Sequence, residues 1–133
     1  MDFLFAAHSG LRFLVLLAGA LAAVYLLFGW LTRRPFDAPA RMLSASFVGL
    51  LDLQVLLGLG VLLTRPFYPA LAGHLGMMIG AAVAAHGLGV VGKRADDPRK
   101  RYMSVLGGVV LALLLIAGGI LSIGRGLFQS TIG

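Results

Sequence analysis

Four runs of apolar residues, each broken off by prolines and charges, organise the chain. They extend from about Phe3 to Leu31, Leu43 to Thr64, Gly73 to Gly92 and Met103 to Gly124. Each is long enough to cross roughly 30 Å of hydrocarbon as a helix rising about 1.5 Å per residue. The first break, Thr32 to Arg41, holds two prolines and three arginines. The second, Thr64 to Pro69, carries Pro66 and Pro69, neither of which continues a helix. The third, Lys93 to Arg101, is a charged turn that water must solvate. The pattern predicts an all-α membrane protein, a single bundle of four transmembrane helices over residues 1–133. A cleaved signal peptide does not fit the first run, which opens Met-Asp-Phe-Leu-Phe without a basic segment and runs too long.

Composition removes the soluble alternatives. Apolar residues make up 59% and charged residues 12% of the chain, against about 45–50% and about 25% in ordinary soluble domains. With no cysteine there is no disulfide, thiolate metal site or covalently attached haem. The net charge of +6 reports topology. Eight of the eleven basic residues fall in the first and third loops: Arg33, Arg34, Arg41, Lys93, Arg94, Arg99, Lys100 and Arg101. Lys and Arg accumulate on the cytoplasmic side. Both termini and the Arg65 loop are therefore expected outside, in the periplasm of a bacterial inner membrane, and nucleic-acid binding is not expected.

Ionisable groups within spans cost free energy and mark function. His8 and Arg12 lie in the first run, Asp52 and Gln54 in the second, His74 and His86 in the third. Spans one and three run the same way, so His8 and His74 share a depth near the outer face. Two imidazoles facing across a bundle are the usual axial pair of a six-coordinate haem, and imidazole also suits copper and zinc. Small and aliphatic surroundings without carboxylate or thiolate favour the flat macrocycle. The other reading is two unrelated interfacial histidines. Met77 and Met78 after His74 raise copper, although such methionines mostly pack. Arg12, one turn beyond His8, and Arg65 are candidates to hold two propionates. Gly10, Gly58, Gly60, Gly73, Gly76, Gly118 and Gly119 gather at this depth, where missing side chains leave a slot. Gly76 and Gly80 also form a GxxxG pattern for close helix packing.

His86 lies twelve residues beyond His74, about 18 Å deeper, so it cannot join that site. Asp52, on the antiparallel second span, falls within about one turn of it. An Asp52–His86 hydrogen bond would fix helix register or handle protons near a quinone; His86 as ligand of a second haem across an oligomer is the third option.

The run Asp52-Leu-Gln-Val-Leu-Leu-Gly-Leu-Gly-Val-Leu-Leu-Thr64, a proline loop, and Ala70-Leu-Ala-Gly-His-Leu-Gly-Met77 resemble two consecutive helices of a half-bundle of haem A synthase. His8-Ser-Gly-Leu-Arg12 resembles that family's preceding histidine helix. The resemblance covers Phe5 to Val91 and implies a histidine pair, here His8 and His74, ligating haem b near the outer face. That family fuses two bundles and places a glutamate before its first histidine, where this chain has Phe3 to Ala7; hydroxylation chemistry is not carried over. The expected function is a membrane b-type cytochrome that passes electrons to or from a quinol or a respiratory partner protein, as a homo-oligomer or a subunit of a larger complex. The alternative is a cofactor-free accessory or assembly subunit.

Overall fold

The computed structural model describes residues 3–127, and among these four α-helices carry the fold: α1 (Phe3–Leu31), α2 (Ala38–Thr64), α3 (Pro69–Lys93) and α4 (Pro98–Ser122). All four are long and apolar enough to span a membrane, so the chain is a multi-pass membrane protein. The first helix matches its expected bounds. The other three begin at Ala38, Pro69 and Pro98 rather than at 43, 73 and 103. Hydropathy marks where the apolar stretch begins, whereas a helix starts where it can be capped. Asp37 accepts a hydrogen bond from the Ala40 amide (3.1 Å), Asp97 one from the Arg99 amide (3.0 Å), and all three helices carry proline in their first turn. Proline is tolerated there because the first amides have no partner within the helix. Pro69 thus opens α3 instead of interrupting it.

Nearly every face of these helices is apolar, so hydrophobicity cannot choose which side is buried; residue size and spacing do. In α1 the buried positions are Ser9, Arg12, Val15, Gly19, Ala22, Leu26 and Gly29, and in α4 they include Tyr102, Val105, Val109, Ala112, Ile116 and Gly119. Alternating steps of three and four residues are the seam of antiparallel, left-handed bundles. Glycines bring backbones together. A methyl group at Gly108 would lie 3.1 Å from the Ala84 carbonyl oxygen, which sets the close approach of α3 to α4. α3 packs most tightly on α4 and α1 on α2, α1 and α3 stand diagonally, and of the neighbouring pairs α2 and α3 touch least.

The two ends of the bundle differ. Where α1 ends and α4 begins, the Tyr102 hydroxyl donates to the Pro35 carbonyl (2.9 Å) and its ring meets Phe36 at 4.9 Å. Arg99 donates to the Trp30 carbonyl (3.3 Å), and Tyr25 donates to Asp37 (2.6 Å). That end is sealed. At the other end, where α1 begins and α4 finishes, α2 and α3 part and leave free volume.

Candidate functional site

His8 and His74 meet at this open end. Their ring centres are 6.3 Å apart and their planes are perpendicular, at 89°. Each ring is turned by its own hydrogen bond. His8 Nδ1 donates to the Gln54 carbonyl (3.1 Å), and His74 Nδ1 donates to the Gly119 carbonyl (2.9 Å). A histidine that gives its Nδ1 proton to a carbonyl keeps the lone pair on Nε2, the arrangement found behind metal-ligating imidazoles. Both residues are half-buried.

Gln54 is the partner that α2 supplies. It is buried, its side-chain amide donates to the His8 carbonyl (2.7 Å), and its own carbonyl takes the His8 ring proton. The two residues clasp α1 to α2 through one side chain and one main-chain group each. Gly58 lies one turn along α2, and a methyl group there would come within 2.9 Å of His8 Cε1. Its missing side chain therefore houses the imidazole. Gly118 and Gly119 are likewise filled from within, by Met77 and Met78 of α3. Gly10 and Gly76 face outward, where added atoms would meet nothing within 4 Å. The glycines gather at the expected depth, but Gly58, Gly118 and Gly119 seat a histidine and two methionines of neighbouring helices, while Gly60 and Gly73 face Leu4 and Ser122.

The open volume lies on either side of the histidine pair. A chamber of about 70 Å³ reaches into the bundle, lined by Arg12, Val15, Leu51, Ile116 and Ile120 among others. A larger cavity of about 500 Å³ fills the seam where α2 and α3 part, lined chiefly by Val55, Leu59, Leu62, Leu71, Leu75 and Ile79. His8, Gln54, His74 and Met78 border both. The seam cavity falls within the ~300–1,000 Å³ of small-molecule sites, with the expected apolar lining and few polar groups.

Three arginines edge the site. Arg12 is 5% exposed and lines the inner chamber. Arg65 lines the seam cavity, with its guanidinium 4.0 Å from the centre of the Phe5 ring. Arg125 borders both cavities and lies 5.8 Å from the same ring. No carboxylate lines either cavity among the described residues, so this end of the site is cationic. Arg125 and the roles of Gln54 and Gly119 go beyond the sequence reading. Arg125 was legible as a charge ending the fourth run; the carbonyls that orient the histidines leave no trace in residue type.

Asp52 and His86 come together as expected. His86 Nε2 lies 2.7 Å from one carboxylate oxygen of Asp52 and 3.0 Å from the other. The pair stands apart from His8 and His74 and borders neither cavity. Among the described residues no three His, Asp or Glu gather to hold a bare metal ion. The His8–His74 site therefore offers two nitrogens, a cationic edge and an apolar cavity. No family model, no curated protein and no solved structure matches the chain.

Proposed function

We propose that the protein is a membrane b-type cytochrome, with one haem b held between His8 and His74. The observation that carries this reading is the pair itself: two imidazoles with centres 6.3 Å apart, each with Nδ1 committed to a main-chain carbonyl. Metal–imidazole bonds run about 2.0–2.1 Å, so an ion shared by two rings separates the bonded nitrogens by at most roughly 4 Å. Ring centres, set back from those nitrogens, then stand farther apart, as these do. Two donors alone leave a metal ion under-coordinated, which fits a metal that brings its remaining ligands in a macrocycle. The apolar cavities on both sides suit such a ring, and Arg12, Arg65 and Arg125 suit its carboxylates.

When bound, the haem supplies one-electron transfer through its iron. The protein's part is to hold both imidazoles in one tautomer, keep water from the apolar faces and neutralise the propionates. With His8 and His74 both given to the haem, the site would suit a carrier that exchanges electrons with a quinol or a redox partner protein. By its loop charges we place the cationic end of the site toward the periplasm of a bacterial inner membrane.

A reduced-minus-oxidised absorption spectrum of the protein purified from haem-replete cells tests the reading. The expected result is a shifted Soret band with a sharp α-band, lost in His8→Ala and in His74→Ala but kept in His86→Ala. Wild-type protein that folds and shows neither feature overturns it and favours a cofactor-free subunit.

A further inference from the structure

Asp52 and His86 bond to one another on the outside of the bundle. Asp52 lies near the midpoint of α2 (Ala38–Thr64), and His86 about two turns before the end of α3 (Pro69–Lys93). Both belong to stretches that span the hydrocarbon. Their side chains remain 49% and 53% exposed. Ionisable groups at such depth face protein or a polar cavity, because lipid chains solvate neither an acid nor a base. The half of this pair that is uncovered therefore needs a cover.

The surrounding face is shaped for a close neighbour. Ala45, Gly49 and Asp52 succeed one another at helical spacing on the exposed side of α2, and Gly87 sits beside His86 on α3. A methyl group at Gly49 or Gly87 would meet nothing within 4 Å, so neither glycine is needed for packing inside this chain. Small residues of this kind let another helix approach. His86 Nδ1 has no hydrogen bond among the described residues, while Nε2 is taken by Asp52.

The charges choose the occupant. Two copies inserted in the same orientation are related by a two-fold axis along the bilayer normal, which keeps every residue at its own depth. Asp52 and His86 share a depth within one chain. The axis therefore sets the acid of one copy against the base of the other, and the reverse, with no further matching required. A different membrane subunit would have to bring an acid and a base at that depth independently. We propose that the Asp52–His86 face is the interface of a homodimer, in which His86 Nδ1 of each copy donates to Asp52 of the partner subunit. The inference is independent of the cofactor.

The absence of cysteine makes the test direct. Gly49→Cys and Gly87→Cys are made singly and treated with oxidant in native membranes. At least one is expected to give a species of twice the chain mass, whereas Leu21→Cys, on the exposed face of α1, stays single. Adding Asp52→Leu and His86→Leu together leaves an apolar surface that lipid accepts, and is expected to lower the cross-linked fraction at least tenfold. Single-molecule photobleaching of labelled protein in bilayers is expected to show two steps for the wild type. Single-step bleaching with no cross-link at either glycine overturns the proposal. So does cross-linking only to another protein, or cross-linking that the double leucine variant leaves unchanged.

Discussion

The clasp between His8 and Gln54 divides cleanly into a part that orients the imidazole and a part that ties helices together. The ring proton goes to the main-chain carbonyl of Gln54, while the side-chain amide of Gln54 goes to the main-chain carbonyl of His8. Gln54→Leu removes only the second bond. It is expected to lower stability by about 1 kcal/mol, the usual worth of one such hydrogen bond, while leaving a low-spin haem spectrum in place. Thermal unfolding in detergent, followed by the Soret band and by helical circular dichroism, checks both halves. At the sealed end the balance is electrostatic. Asp37 accepts from the Tyr25 hydroxyl, the Ala40 amide and the Arg34 guanidinium. The Tyr25 hydroxyl first, then the Ala40 amide and Arg34, hold its carboxyl below the usual range, against the opposing effect of desolvation. The same carboxylate pushes the Arg34 guanidinium up. A lowered folded value means that the contribution is complete above the unfolded carboxyl value and disappears as the pH falls through the folded one. The loss belongs below about pH 4. Asp37→Asn still offers an oxygen to the Ala40 amide but has nothing to protonate. Its acid unfolding curve should therefore be flatter there than that of the wild type, while its stability at neutral pH is reduced.

At the scale of the helices, glycines decide what can sit against what. Gly58 leaves the space that the His8 ring occupies, and a methyl group in that space would stand only 2.9 Å from Cε1. That ring cannot swing aside freely, because its Nδ1 is bonded to Gln54. Gly58→Ala should thus displace the imidazole without unfolding the bundle. The expected outcome is a weakened or high-spin haem spectrum at unchanged helical content, whereas Gly10→Ala, where the space is open, leaves the spectrum alone. How legible all this was differs from one element to the next. α1 could be bounded from hydropathy at both ends, because apolar residues run its whole length. For α2 and α4 the starting signals were the capping aspartates Asp37 and Asp97 with the prolines behind them, and these lie outside the apolar runs. The histidine pair was legible because parallel spans carry two rings at one depth, and the Asp52–His86 bond because antiparallel spans do the same for an acid and a base. What fixes the rings was not. The acceptors at Gln54 and Gly119 are main-chain oxygens, which every residue has, and only the packing of α1 on α2 and of α3 on α4 selects them.

For the molecule as a whole, the contrast between its ends sets a direction. The loops joining α1 to α2 and α3 to α4 lie at the sealed end, and together with the helix ends beside them they hold eight of the eleven basic residues. Their aromatic partners hold several of these cations in place: Arg99 lies 5.0 Å from the Trp30 ring centre and Arg101 lies 4.4 Å from that of Phe36. Arg12, Arg65 and Arg125, at the open end, edge the cavities instead of crowding a loop. A charge bias in short loops orients a bundle during insertion, so the sealed end should face the cytoplasm and the open seam the opposite side. Single cysteines in this cysteine-free chain read that directly. Ala95→Cys, between α3 and α4, should resist a membrane-impermeant maleimide in intact spheroplasts and react in inverted vesicles; Phe67→Cys, between α2 and α3, should do the reverse. The opposite labelling pattern would turn the histidine pair toward the cytoplasm. The electron donor or acceptor would then have to be sought on that side, because the cationic edge at the open end is where a soluble redox protein can come nearest to the site.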